Sequence, residues 1–183
     1  IESASALMAQ VQRLSRRALE GSEPTAIDPA LSALRPLLAR LARRASLELD
    51  LAAPGASVRS TALDLERIVI NLVVNAARAA STDGHIRVST SLRRSTGAPV
   101  PAWDEELPPG DYVALTVADD GAGIAHDVLP RIFETHFSTK GESGMGLGLV
   151  SVLALARAAG GGVTVDSRPG EGARVTVLLP AVP

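Results

Sequence analysis

The 183-residue chain has no cysteine, which excludes a disulfide framework and any thiolate-bound metal. No run approaches the roughly 18 to 20 apolar residues that a membrane span requires, and nothing at the start reads as a signal peptide. A cytoplasmic location without direct membrane contact is expected, whether the parent protein is soluble or membrane-anchored. The chain also lacks a charge of one sign: 18 basic against 20 acidic residues give a net charge of -2. Such a balance offers no field for nucleic acid or anionic lipid, so partners must be argued from sites. Lysine is nearly missing, with Lys140 alone among 17 arginines, and both phenylalanines fall in one stretch, RIFETHFSTK. What is abundant is apolar residue, 46% of the chain, enough for one core and a short appended element. The first residue is Ile1, so a piece of a longer protein is expected, with part of the function upstream.

Periodicity places the elements. Leu7, Met8, Val11, Leu14 and Ala18 recur at helical spacing with arginines between them, predicting an amphipathic helix over 3–19 that faces a partner. GSEPTA at 21–26 breaks it. Asp28 is suited to an N-cap and Pro29 to a first helical position, starting a helix to about Arg44 that Pro36 should kink or divide. Leu47, Leu49 and Leu51 alternate with polar residues as in a strand, closed by AAPG. Thr61 and Asp64 resemble a capping box for a helix to about Ala80, with Leu65, Ile68, Val69, Leu72 and Ala76 on its apolar stripe. A strand is expected over 85–92, then an exposed hairpin loop over 93–111 whose prolines cannot serve an inner ladder. Further strands are expected at 112–117, 162–167 and 173–180, the last two around the turn RPGEG. Between them lie a short helix with loop at 126–140 and a helix at 147–159. The order implies an α/β two-layer sandwich, a mixed sheet with helices on one face.

Four stretches carry chemistry. On the helix at 61–80, Arg67, Asn71, Asn75 and Arg78 are spaced by four, four and three, which at about 100° per residue makes one polar line. Carboxamide oxygens are hard ligands for magnesium, and arginine pairs with phosphate. A solvated helix face would show the same line, but two asparagines mid-helix ask for a reason. VADDGAGI at 117–124 ends a strand with Asp119, which can accept a hydrogen bond from an exocyclic amine, while Gly121 and Gly123 allow a flat ligand near the backbone. D-D-G alone is also a common turn. Phe133 and Phe137 can anchor a loop, or simply pack beneath it. Ser138, Thr139 and Lys140 add two hydroxyls and a compact cation. Finally, GESGMGLGL puts Gly144, Gly146 and Gly148 at the mouth of a helix, where unpaired N–H groups and the positive dipole end favour an anion. The spacing is neither that of a P-loop nor that of a dinucleotide fingerprint.

Taken in order, these stretches resemble the ATP-binding domain of sensor histidine kinases, within the Bergerat-fold family shared with gyrase, MutL and the ninety-kilodalton heat-shock chaperones. LERIVINLVVNAARAA resembles the N box, VADDGAGI the G1 box, RIFETHFSTK the F box and GESGMGLGL the G2 box. GGVTVDSRPGEGARVTVLLP resembles the closing hairpin, and the likeness covers about residues 47–180. The resemblance implies ATP and Mg2+ as ligands, with Asn75 coordinating magnesium, Asn71 one turn before it and Arg78 approaching the phosphates. It implies that Asp119 binds the adenine amino group in a pocket shaped by Gly121, Gly123 and Ile124. Ser138, Thr139 and Lys140 would meet the terminal phosphates. Gly144, Met145, Gly146, Leu147 and Gly148 would line the lid and phosphate cradle, with Phe133 and Phe137 as lid anchors.

Two departures stand out: Ala173 occupies a position where the family commonly has threonine, and ETHF replaces the usual E-P-F-F. None of His85, His126 and His136 has the context of a phosphoacceptor. The resemblance therefore implies a division into residues 1–22, a remnant of the dimerisation hairpin helix with its linker, and 23–183, the catalytic domain. The implied partners are ATP, the dimerisation and phosphoacceptor domain of the same homodimeric protein, and a response-regulator receiver domain. The rival readings are a serine or anti-sigma kinase of the same fold, and a docking module with a vestigial pocket.

Overall fold

A computed structural model describes residues 23–43, 45–97, 107–134 and 148–182. The expected helix over 3–19 lies outside the described residues, as does the middle of the 93–111 loop. So do His136, Phe137, Ser138, Thr139, Lys140, Gly144, Met145, Gly146 and Leu147.

The elements run β1 (Thr25–Ala26), α1 (Ile27–Leu41), β2 (Ser46–Ala52), β3 (Ser57–Val58), α2 (Ala62–Ala79), β4 (His85–Ser95) and β5 (Gly110–Asp119). A 3-10 turn (Leu129–Arg131), α3 (Gly148–Ala158), β6 (Gly162–Ser167) and β7 (Ala173–Val182) complete the order. The seven strands form one sheet in the order β1-β3-β7-β5-β4-β2, with β6 also on β7. β2 runs parallel to β4 and every other pairing is antiparallel. β6 takes residues 173–178 of β7 and β3 takes 181–182, so β7 is paired along most of its length on both edges. This is the mixed sheet expected, with all three helices among the described residues contributing to one core.

That core joins Leu65, Ile68, Val69, Leu72 and Val73 of α2 and Val152, Leu153 and Ala156 of α3 to Ile86, Val88, Val113, Leu115, Val117, Val177 and Leu179 of the sheet. In β4 the buried residues alternate with outward ones, as a strand with one covered face requires, whereas Tyr112–Val117 of β5 are all buried, with Tyr112 packing against Leu107 and Leu178 apart from the main core. The outward face carries a charged parallel pair: Arg87 hydrogen-bonds Asp50 and lies 3.9 Å from Glu48, and both acids hold its guanidinium protonated above its ordinary range, Asp50 first. Among the described residues, no helix is long and apolar enough to cross a membrane.

α1 corrects two expectations. Its N-cap is Ala26, with no side-chain cap, and Asp28 lies inside the first turn. The Asp28 carboxylate instead accepts the Ala53 N–H at 3.0 Å and the Thr90 hydroxyl at 2.7 Å, tying the helix to the end of β2 and to β4. A half-buried carboxylate gains more from two donors fixed by the sheet than from one at a solvent-facing helix start. Pro36 does not divide the helix, which is continuous from Ile27 to Leu41. Ile27, Leu31 and Leu38 are fully buried, and at about 1.5–3 kcal/mol each they outweigh the roughly 3 kcal/mol of an interior proline, whose ring sits on the exposed face.

Candidate functional site

The site is organised by α2. Its start is fixed by Thr61, whose side chain accepts the Asp64 N–H at 3.0 Å, a cap contribution of about 1 kcal/mol. Burial of Leu65, Ile68, Val69, Leu72, Val73 and Ala76 then sets the rotation of the helix. Asn71 and Asn75 are left half-buried on the flank, while Arg67 and Arg78 are exposed. Arg67 pairs with Asp64 at 3.8 Å, one turn back on its own helix, rather than joining the asparagines.

The first residue of α3 closes on that flank. A methyl group on Gly148 would lie 3.4 Å from Nδ2 of Asn75, 3.6 Å from its Oδ1 and 3.7 Å from Oδ1 of Asn71. Two carboxamides therefore face the first described turn of α3. Donors and acceptors are thus concentrated at one spot, a setting suited to phosphate and a hydrated cation. This accounts for the mid-helix asparagines: the amides line a junction between two helices instead of a solvent face.

The C-terminal end of α2 meets the end of β5. Asp119 sits between Ile86 of β4 and Ala173 of β7, and its Oδ1 accepts the Gly121 N–H at 2.9 Å. A methyl on Gly121 would lie 2.4 Å from the carbonyl of Ala79, the last residue of α2, and the Ala122 N–H reaches that carbonyl oxygen at 3.4 Å. Gly123 has φ of 67°, and a methyl there would lie 1.9 Å from the Arg168 carbonyl oxygen. Only glycine fits either place. The neighbouring Asp120 is committed elsewhere: it is exposed, and its carboxylate accepts the His85 N–H at 2.8 Å. Of two adjacent acids, one closes a surface turn and the other belongs to the helix-facing side of the sheet.

The structure thus brings Asn71, Asn75 and Gly148 together at one part of α2, and Asp119 and Gly121 together at its C-terminal end. The eight residue steps from Asn71 to Ala79 rise about 12 Å. Arg78 lies in the last turn between these ends. Gly123 and Ile124 continue the loop after β5, the latter half-buried. Phe133 is half-buried and packs against the main core beside the 3-10 turn. Sequence reasoning passed over Ser167 and Gly172, which it treated only as the end of a strand and the end of the turn RPGEG. Ser167 Oγ accepts the Ile124 N–H at 2.9 Å and donates to the Gly172 carbonyl at 2.7 Å.

With this geometry in hand, comparison with known proteins is decisive. Residues 60–183 match the profile of the histidine kinase-, DNA gyrase B- and HSP90-like ATPases. The chain belongs to this family. Sensor kinase CckA of Brucella abortus (strain 2308) is 35% identical over 97% of this chain and 19% of its own length. The C4-dicarboxylate transport sensor protein DctB of Rhizobium meliloti (strain 1021) is 35% identical over 92% of this chain and 25% of its own. The chain therefore spans about a fifth to a quarter of those relatives. Among solved structures, the full-length ShkA in complex with AMPPNP superposes with a TM-score of 0.68 at 25% identity, over 99% of this chain and 37% of that one. The mycobacterial sensor histidine kinase MprB gives 0.67 at 23% identity, over 88% of this chain and 98% of that one, a likeness of fold.

Family membership makes this an ATPase-type nucleotide domain of the kind that sensor histidine kinases carry, and ATP binding follows from it. The donor set also fits a magnesium ion. Among the described residues no three His, Asp or Glu side chains gather into a metal cage. A cation at this junction would therefore rely on carboxamide and phosphate oxygens, which suit a hard ion that keeps much of its water.

Proposed function

We propose that the chain is the catalytic domain of a two-component sensor histidine kinase, binding ATP with Mg2+ and donating the γ-phosphoryl to a histidine carried by another domain of the same protein. The observation that carries this reading is the position of α2: Gly148 lies against the amides of Asn71 and Asn75 on its flank, while Gly121, beside Asp119, meets its last residue. One rigid helix can thus serve both ends of an extended nucleotide.

The roles follow from the chemistry of each group. Asp119 accepts a hydrogen bond from the adenine amino group, with Gly121, Gly123 and Ile124 giving the base a close-fitting wall. Asn75 would hold Mg2+, with Asn71 assisting one turn earlier; the ion supplies charge neutralisation for the phosphates. Arg78 and Lys140 pair with phosphate oxygens, and Ser138 and Thr139 hydrogen-bond them. The backbone of Gly144, Met145, Gly146, Leu147 and Gly148 cradles the phosphates at the start of α3, and Phe133 and Phe137 anchor the covering segment. Phosphoryl transfer needs mainly positioning and charge stabilisation, which this set supplies. The acceptor is a histidine of the dimerisation domain in a homodimeric parent, the eventual recipient is a response-regulator receiver domain, and the setting is the cytoplasm. Residues 1–22 belong with the dimerisation hairpin and 23–183 with the catalytic domain.

Calorimetric titration with a non-hydrolysable ATP analogue, with and without magnesium, is expected to show magnesium-dependent binding, and a labelled-phosphate assay no histidine labelling of this chain alone. Asn75→Ala should lose most of the magnesium dependence. An unchanged titration would favour a vestigial pocket, and strong self-labelling on histidine would refute the assignment of the acceptor to another domain.

A further inference from the structure

Around Asp119, the base end of the proposed site is fastened by the β6–β7 turn as well as by its own strand. Ser167, Ala173 and Asp119 are successive cross-strand neighbours on β6, β7 and β5. Side chains in such a row point to the same face of the sheet. Of the three, Ala173 has no polar atom, so the one hydroxyl in the row is that of Ser167.

That hydroxyl is bonded on both sides. It accepts the N–H of Ile124, from the loop after β5, and donates to the carbonyl of Gly172, at the end of the β6–β7 turn. A second strap runs from the Gly170 N–H to the Ala122 carbonyl at 2.8 Å. The loop and the turn also press backbone to backbone: a methyl on Gly172, at φ of 79°, would lie 1.9 Å from the Asp119 carbonyl oxygen. On its far side the loop abuts Ala79 of α2. The Asp119 carboxylate takes its orientation from this loop through the Gly121 N–H.

We propose that Ser167 is a positioning residue for base recognition, its hydroxyl bolting the loop that orients Asp119 to the β6–β7 turn. The inference rests on the reading of Asp119 as the group that binds the adenine amine. Ser167 touches no part of the nucleotide in this scheme. Without its hydroxyl, the Ile124 N–H and the Gly172 carbonyl lose their shared partner and the loop can shift to find others. The charge on Asp119 would remain, but its direction would no longer be set.

The test compares ATP with inosine triphosphate, which lacks the exocyclic amine, on the 183-residue chain with magnesium present. Wild type should favour ATP. Ser167→Ala is expected to weaken ATP binding about tenfold, the equivalent of one charge-assisted hydrogen bond, and to change inosine triphosphate binding less than about twofold. Ser167→Thr keeps a hydroxyl and should restore the preference. In a double-mutant cycle with Asp119→Asn the two effects should not add, because both act through one contact. A group that merely stabilises the hairpin would lower the melting temperature and leave the ATP preference untouched; that result overturns the proposal. Should Ser167→Ala fail to fold, Ser167→Cys, similar in shape but a poorer hydrogen-bonding group, gives the same reading. A wild-type chain that binds ATP and inosine triphosphate equally, or binds neither, overturns the assignment of Asp119 itself, and is recognised before any Ser167 variant is made.

Discussion

The two ends of the candidate site along α2 are built on opposite plans. Where its last residue meets the loop after β5, and where that loop meets the β6–β7 turn, the packing is so close that a single added methyl at Gly121, Gly123 or Gly172 would lie 1.9–2.4 Å from backbone atoms. Where it meets α3, a methyl on Gly148 would find its nearest atom at 3.4 Å, and that atom is the end of a side chain. Interiors that are closed by backbone against backbone cannot yield, whereas side-chain amides can turn. In the proposed function this contrast is a division of labour: the fixed wall would read the shape and hydrogen-bonding edge of the base, and the adjustable junction would accommodate phosphates whose charge and position change during reaction.

Substitutions should separate the ends sharply. The largest effect is expected from Gly123→Ala, which combines positive φ with overlap on the Arg168 carbonyl. A loss of at least about 4 kcal/mol, at roughly 2–4 °C per kcal/mol for a chain of this size, should lower the melting temperature by about 8–16 °C; a variant melting within a few degrees of wild type would mean that the wall is soft. Next comes Asp119→Asn, which preserves volume and can still accept the Gly121 N–H. It should leave thermal stability nearly intact while weakening ATP binding about 10- to 100-fold, the range for one hydrogen bond to a charged group, as read by titration calorimetry. Equal losses for ATP and inosine triphosphate would place that carboxylate away from the base. The smallest effect belongs to Gly148→Ala. Alanine is a better helix residue by up to about 1 kcal/mol, so stability should stay within about 1 kcal/mol of wild type while nucleotide affinity falls only severalfold. A collapse of the fold on this change would erase the contrast.

The sequence made some of this architecture readable because the information is local. α2 is found within about one residue of its expected ends because capping, period and apolar stripe all coincide in one segment. The strands of the closing hairpin are bounded by glycines and proline, and they match. The asparagines of α2 and the Asp-Gly pattern are legible for the same reason: residue types that are unfavourable in their local setting mark a demand from elsewhere. β1 and β3 escaped notice because two residues carry no periodicity. Asp28 was misassigned because a carboxylate before a helix looks the same whether it caps that helix or reaches Thr90, 62 positions away. Ser167 was hidden likewise: its partner Ile124 is 43 positions earlier, and nothing in RPGEG announces that contact.

Asp28 also bears on modularity. Trimming this molecule to the segment that matches the ATPase profile would delete α1 and β2, stripping a covering layer from α2 and leaving β4 with a bare parallel edge open to strangers. A chimaera spliced at residue 60 would inherit every group that the proposed function assigns to the nucleotide while losing the Asp28 bonds to Ala53 and Thr90 that brace the sheet behind α2.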